Sequence, residues 1–89
     1  MSNRIEKPDW TEPQDQYLAF IYTYTMIHGK PPTEADMQRF FRVTPPTVHR
    51  MVNELEKKKL IRKTPGAARS IQLLTSPDAL PMIVPPSKP

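Results

Sequence analysis

Apolar positions between residues 45 and 58 repeat with the period of a helix. Val48, Met51, Val52 and Leu55 fall at i, i+3, i+4 and i+7, a spacing that places them on one helical face. That face is suited to a core. Thr47, His49, Arg50 and Asn53 then point elsewhere, and each of them can hydrogen-bond. Upstream, Leu18, Ile21 and Thr25 form one stripe, with Tyr17, Phe20, Tyr24 and Ile27 beside it. The two stripes predict a helix from about Glu12 to His28 with a broad apolar face. Thr11 and Gln14 have the spacing of a capping box, and Trp10 precedes the cap where it can staple onto the first turn. Gly29 suits the left-handed residue that follows a helix.

A shorter helix is predicted over residues 34–41, with Ala35, Met37, Phe40 and Phe41 as its apolar contacts and Thr33 and Asp36 as a second capping box. Thr44 is the expected cap of the third helix. Pro46 biases Pro45 towards extended geometry, so that helix is expected to lose a residue at its start. Its end is expected near Lys58, where Lys57, Lys58 and Lys59 suit a negative dipole end. Leu60-Ile61-Arg62-Lys63 reads as a short strand. Residues 64–68, Thr-Pro-Gly-Ala-Ala, supply turn chemistry, and residues 69–73 alternate polar and apolar with Ile71 and Leu73 inward. The order helix, helix, helix, strand, strand is mainly α with a small β-hairpin, a winged helix-turn-helix.

The 89 residues fit a single small domain. Three segments are expected: a flexible arm at 1–10, the winged helix-turn-helix at 11–74, and a Pro-rich flexible tail at 75–89. Leu80, Met82, Ile83 and Val84 are apolar enough to fold back on the domain or meet a second subunit. No cysteine is present, so disulfides and thiolate chemistry are excluded. No apolar run reaches the ~20 residues of a membrane span, and no secretory signal opens the chain, so a cytoplasmic protein is expected.

Charge changes the picture more than composition does. Arg4, Lys7 and Lys30 oppose six acids over residues 1–38, a net −3. Residues 39–70 carry Arg39, Arg42, Arg50, Lys57, Lys58, Lys59, Arg62, Lys63 and Arg69 against Glu54 and Glu56, a net +7. Cations segregated in this way favour a polyanionic partner, although a merely solvated basic surface gives the same pattern. Catalysis has little support. The two histidines, His28 and His49, fall on different predicted helices, no metal-ligand spacing appears, and Gly29 and Gly66 cannot make a phosphate loop. No cofactor, metal or small-molecule ligand is indicated.

Pro31-Pro32-Thr33, Pro46-Thr47-Val48-His49-Arg50, residues 55–62 (LEKKKLIR) and Pro65-Gly66-Ala67-Ala68-Arg69-Ser70-Ile71 resemble the N-terminal DNA-binding domain of the LexA repressor family, over about Thr11 to Leu74. The resemblance implies a regulator, repressing more readily than activating, that inserts its third helix in the major groove of double-stranded DNA. Thr47, His49, Arg50 and Asn53 are the expected base-reading residues. Arg42 and Thr44, with Arg39 and Lys58, are expected at phosphates. Arg62, Lys63 and Arg69 flank the wing tip, which such domains lay on the backbone or in the minor groove. A homodimer is possible on paired half-sites. Family members continue into a self-cleaving peptidase domain with a serine and lysine pair. No such domain is expected here, and residues 75–89 hold no Ala-Gly bond of the kind the family cleaves. Arg42 and Lys59 stand where the family commonly has glycine. Arg42 is expected to adopt an ordinary turn, and Lys59 to be strained if its position needs φ > 0. Two alternatives remain: a winged helix that binds a protein partner, and a sequence-tolerant nucleic-acid binder.

Overall fold

The computed structural model describes residues 11–83. Three helices come first: α1 (Glu12–His28), α2 (Glu34–Phe41) and α3 (Pro45–Lys57). Two short strands follow, β1 (Ile61–Arg62) and β2 (Gln72–Leu73), paired antiparallel with Ile61 opposite Leu73 and Arg62 opposite Gln72. The arrangement is a winged helix-turn-helix, with α2 packed on α3 and the wing between α1 and α3. Among the described residues no helix is long and apolar enough to cross a membrane.

Local chemistry sets the helix ends. Thr11 and Gln14 form a reciprocal capping box at α1, and Thr33 and Asp36 form another at α2. Each box satisfies two backbone N–H groups that the first helical turn leaves unbonded. Gly29 closes α1 at φ 73°, and its N–H donates to the Thr25 carbonyl over 2.8 Å. The expected staple by Trp10 lies outside the described residues.

The start of α3 differs from the sequence expectation in two ways. It begins at Pro45 itself, and only Thr44 is extended, at φ −79° and ψ 158°. Proline's fixed φ is already helical, so a Pro-Pro pair enters a helix without losing a residue. Thr44 holds the cap position, but its side chain makes no cap hydrogen bond. Pro46 has no N–H to offer, and the Thr47 N–H is bonded to the Thr44 carbonyl at 3.0 Å. The Thr44 hydroxyl turns instead to the Thr47 hydroxyl, 3.0 Å away.

Burial follows the α3 stripe closely. Val48, Val52 and Leu55 are fully buried and Met51 nearly so. They meet Leu18 and Ile21 of α1, Met37 of α2, and Ile61 and Ile71 beside the wing. An aromatic layer closes the end of this core where α2 meets α1. Tyr17 stacks on Phe41 with centroids 4.2 Å apart, and Phe20 meets Phe40 at 4.8 Å. Two apolar expectations are corrected. Ile27 is 70% exposed, because none of the described elements covers the last turns of α1 on that side, and Ala35 also faces solvent.

Among the described residues, two that are not glycine occupy the left-handed region, Arg42 at φ 59° and Lys59 at φ 63°. Arg42 is therefore not in an ordinary turn: it closes α2, its N–H donating to the Gln38 carbonyl over 2.8 Å. Lys59 reverses the chain after α3 so that the Leu60 N–H reaches the Leu55 carbonyl at 3.0 Å. A side chain at positive φ costs roughly 1 kcal/mol that glycine does not. Lys59→Gly is accordingly expected to raise stability by about 0.5–1 kcal/mol, read as a higher thermal midpoint with unchanged circular dichroism.

Residues 76–83 differ from the expected loose tail. Pro77–Ala79 form one 3-10 turn capped by Ser76. Ala79, Leu80 and Ile83 pack against the core, and the Gln16 side-chain amide donates to the Met82 carbonyl over 3.3 Å. Ala79, Leu80 and Ile83 cover the edge of a small core, the fold-back that the composition allowed, whereas Met82 stays 84% exposed.

Candidate nucleic-acid interface

Burial of one α3 face dictates what the other presents. Opposite the core stripe, Pro46, Arg50, Asn53 and Lys57 succeed one another at helical spacing, and all four are exposed. His49 flanks this ridge on one side and is also exposed. Thr47 lies on the other flank, half-buried, where it lines an apolar depression with Tyr17, Phe41, Val43 and Met51. Three of the side chains expected at DNA, His49, Arg50 and Asn53, thus share one surface with Pro46 and Lys57, while Thr47 is turned towards α1. Pro46 and Lys57 were not among the expected contact residues. Their place on the ridge was available from the helical period alone.

Arg50 lies near the α1–α3 contact. Burial raises the pKa of the Tyr17 hydroxyl, and the charge of Arg50 opposes that rise. The i+4 partner that spacing offered Arg50, Glu54, is engaged elsewhere: its Oε1 accepts from the Gln14 amide at 3.2 Å. The Gln14 side-chain oxygen, Oε1, accepts from Lys58 Nζ at 3.0 Å. Lys58, expected at a phosphate, is thereby tied to the start of α1. Gln14 is buried, so these bonds fix α1 against α3 from a side chain that cannot turn to water.

At the wing, Thr64-Pro65-Gly66-Ala67 closes a turn in which the Ala67 N–H donates to the Thr64 carbonyl over 3.1 Å. Gly66 takes φ 82°, the positive value that the third position of a type II turn requires after proline. Ser70 ties the base of the turn. Its hydroxyl accepts from the Thr64 N–H at 2.8 Å and lies 3.0 Å from the Ala67 carbonyl. The Ala67 N–H is consumed in this turn and is not available to a phosphate.

Three cations were expected to flank the wing tip, and they have different surroundings. Arg62 is exposed and donates to the Gln72 side chain across the strand pair at 2.8 Å. Lys63 approaches Glu34, its Nζ 3.7 Å from Oε2. Arg69 is turned back onto the α1–α2 connection: its Nη1 donates to the Pro31 carbonyl at 2.9 Å, Asp36 Oδ2 at 3.2 Å and the Tyr24 hydroxyl at 3.3 Å. The side chain therefore anchors the wing to the α1–α2 connection. The Tyr24 hydroxyl, and after it Asp36, raise the Arg69 pKa. Arg42 and Thr44 are exposed beside the start of α3, and Arg39 is paired with Asp36.

Asp36 is the centre of this anchor. Burial works to raise its pKa, but hydrogen bonds from Thr33, Tyr24 and Arg69 outweigh it and bring the value down from 3.8 to about 2. A depressed carboxylate stabilises the fold above its unfolded pKa, and that contribution is lost as pH falls through its folded one. Asp36 should therefore contribute fully above about pH 5 and progressively less towards pH 2. In urea titrations, wild type is expected to lose roughly 1–2 kcal/mol more than Asp36→Asn across that interval. Parallel pH dependences in the two proteins would contradict the assignment.

Among the described residues, no group of three His, Asp or Glu side chains could hold a metal ion. What the surface offers is hydrogen-bonding and cationic side chains on a rigid helix, with a tethered basic wing alongside.

Comparison with known proteins agrees with this geometry. The family model described as the LexA DNA binding domain matches residues 7–70. A LexA repressor of Pseudothermotoga lettingae is 36% identical over 74 residues, covering 83% of this chain and 36% of the relative. LexA repressors of Thermosipho melanesiensis and Thermosipho africanus are each 36% identical over 70 residues, 79% of this chain and 35% of each relative. The chain spans about a third of the length of the curated relatives it matches. With a family model covering most of its length and relatives above 30% identity, this chain belongs to the LexA DNA-binding-domain family.

Proposed function

We propose that this chain is a sequence-specific binder of double-stranded DNA and acts as a transcriptional repressor. One observation carries the reading: α3 exposes a ridge of Pro46, Arg50, Asn53 and Lys57, flanked by His49, directly opposite its buried stripe. A helix packed in this way can lie in the major groove with no loss of core. Arg50 is the candidate for guanine O6 and N7, and Asn53 for an adenine or a phosphate. His49 meets a base edge, and Thr47 a thymine methyl or the backbone. Arg42, Thr44, Lys57, Arg62 and Lys63 meet phosphates, which supply most of the affinity and all of its salt dependence. Arg69 acts indirectly, by fixing the wing.

Repression follows from occupancy, since a protein seated on an operator excludes polymerase. The relatives are LexA repressors, which supports that direction. A single module makes few base contacts, so we assign the operating form to two copies on paired half-sites about 10 bp, or a multiple of that, apart. No catalytic step enters this reading.

Selection from a random-sequence duplex pool tests it. The expected result is an enriched palindromic motif bound at least ~10³-fold more tightly than scrambled DNA at physiological salt. Salt-sensitive binding to every duplex with no enrichment would favour a sequence-tolerant binder. An absence of duplex binding would overturn the proposal. The observation that favours a protein partner is the exposure of Tyr22, Met26, Ile27 and Leu74. That alternative requires function to survive Arg50→Glu and to fail on Met26→Asp.

A further inference from the structure

Among the described residues, Glu34 is the acid whose carboxylate faces both the recognition helix and the wing. It opens α2, immediately after the Thr33 cap. One carboxylate oxygen, Oε1, lies 3.5 Å from His49 Nδ1 on α3, and the other, Oε2, lies 3.7 Å from Lys63 Nζ beside β1. Its side chain is 31% exposed and that of Lys63 is 24% exposed. Both line the open cleft between the start of α2 and the wing turn. A carboxylate here is unfavourable for a polyanion partner, because it faces the same phosphates that Lys63 would meet. The helix dipole alone does not account for the two contacts. Asp36 already supplies the first turn with an acid bonded back to the cap, and Glu34 points outward to two groups on other elements.

We propose that Glu34 is a specificity-determining residue that positions His49 and restrains Lys63, a role that rests on the DNA-binding reading above. Two physical effects give this result. With Nδ1 facing the carboxylate, the His49 ring presents Nε2 away from Glu34. The outer nitrogen is thus the one left to meet a base edge, and the ring is held before the duplex arrives. On a matching site that orientation is already present. On a mismatched site His49 and Lys63 must either leave Glu34 without compensation or keep it close to phosphate. The carboxylate therefore weakens binding to every duplex and weakens it most where no base contact repays the change, which is discrimination by repulsion.

The two readings separate in one set of titrations, with wild type, Glu34→Gln, His49→Ala and the double variant each tested against the enriched duplex and against scrambled DNA over a range of salt. Glu34→Gln keeps the Thr33–Asp36 capping box and is expected to melt at the wild-type temperature. It should bind scrambled DNA several-fold more tightly, with a salt slope steeper by about 0.9, the value of one further phosphate contact. The ratio of enriched to scrambled affinity should fall several-fold. In the His49→Ala background the same change should leave that ratio nearly unaltered, as expected when one residue acts through the other. Equal gains on both duplexes would overturn the proposal and reduce Glu34 to a general surface charge, as would a ratio effect that persists in full without His49. If wild type itself does not prefer the enriched duplex, the underlying DNA reading fails, and this inference with it.

Discussion

Leu55→Ala should leave a large fraction of the protein unfolded at 25 °C. Leu55 is fully buried where α3 meets α1 and the start of the wing. Its main-chain carbonyl also receives the Leu60 N–H at 3.0 Å as the chain turns towards β1. Truncating a leucine in such a position costs about 2–5 kcal/mol, from lost transfer energy and the cavity left behind. A core built from so few side chains supplies only about 3–5 kcal/mol of net stability. The two numbers are comparable, so the variant falls near the midpoint of its own unfolding transition. Leu55→Met, which conserves volume, should cost less than about 1.5 kcal/mol. Urea denaturation followed by far-ultraviolet circular dichroism separates the two. Near-wild-type stability of Leu55→Ala would mean that α3 is held by something other than this core.

Arg50→Ala should do the reverse, leaving the fold intact and removing recognition. Arg50 is exposed, and no ion pair or hydrogen bond engages it among the described residues. Its loss should therefore leave the melting temperature unchanged. A bidentate arginine contact to guanine is worth about 1–3 kcal/mol of discrimination, which is roughly 5- to 150-fold in affinity for the enriched duplex. Scrambled DNA should lose much less, and the salt slope should change by no more than about 0.9. A uniform loss across all sequences would place Arg50 on phosphate. Arg69→Ala should show the contrasting pattern, lower stability together with weaker binding, because its guanidinium holds the wing to Pro31, Asp36 and Tyr24.

The contrast between Arg50 and Arg69 shows where sequence reading stops. The stripe of Val48, Met51, Val52 and Leu55 was legible because helical periodicity is local, and the exposed face followed by elimination. Both capping boxes were legible for the same reason, since each partner lies three residues from its cap. Arg69 looks like Arg62 in sequence, two cations on one hairpin. Only the packing of the wing against the α1–α2 connection brings three distant acceptors to Arg69 and none of them to Arg62. Glu34 was missed as a site residue because its partners, His49 and Lys63, belong to other elements. Ile27 continued the period of α1 correctly, yet periodicity does not say how far along a helix its neighbours extend. The Thr44 cap failed for a chemical reason readable in principle: Pro46 removes one of the two N–H groups that a cap side chain ordinarily binds.

On the proposed reading, α3 and the wing meet duplex DNA as one surface. Titrating isotopically labelled protein with the enriched duplex and following each backbone and side-chain resonance tests it most directly. The account predicts that the largest shifts fall on Thr47, His49, Arg50, Asn53 and Lys57, with a second group at Arg42, Thr44, Arg62 and Lys63. Met26 and Ile27, in the last turn of α1, should scarcely move. Shifts concentrated on those two, with Arg50 and Asn53 undisturbed, would contradict a DNA contact through α3 and move the binding surface to the end of α1.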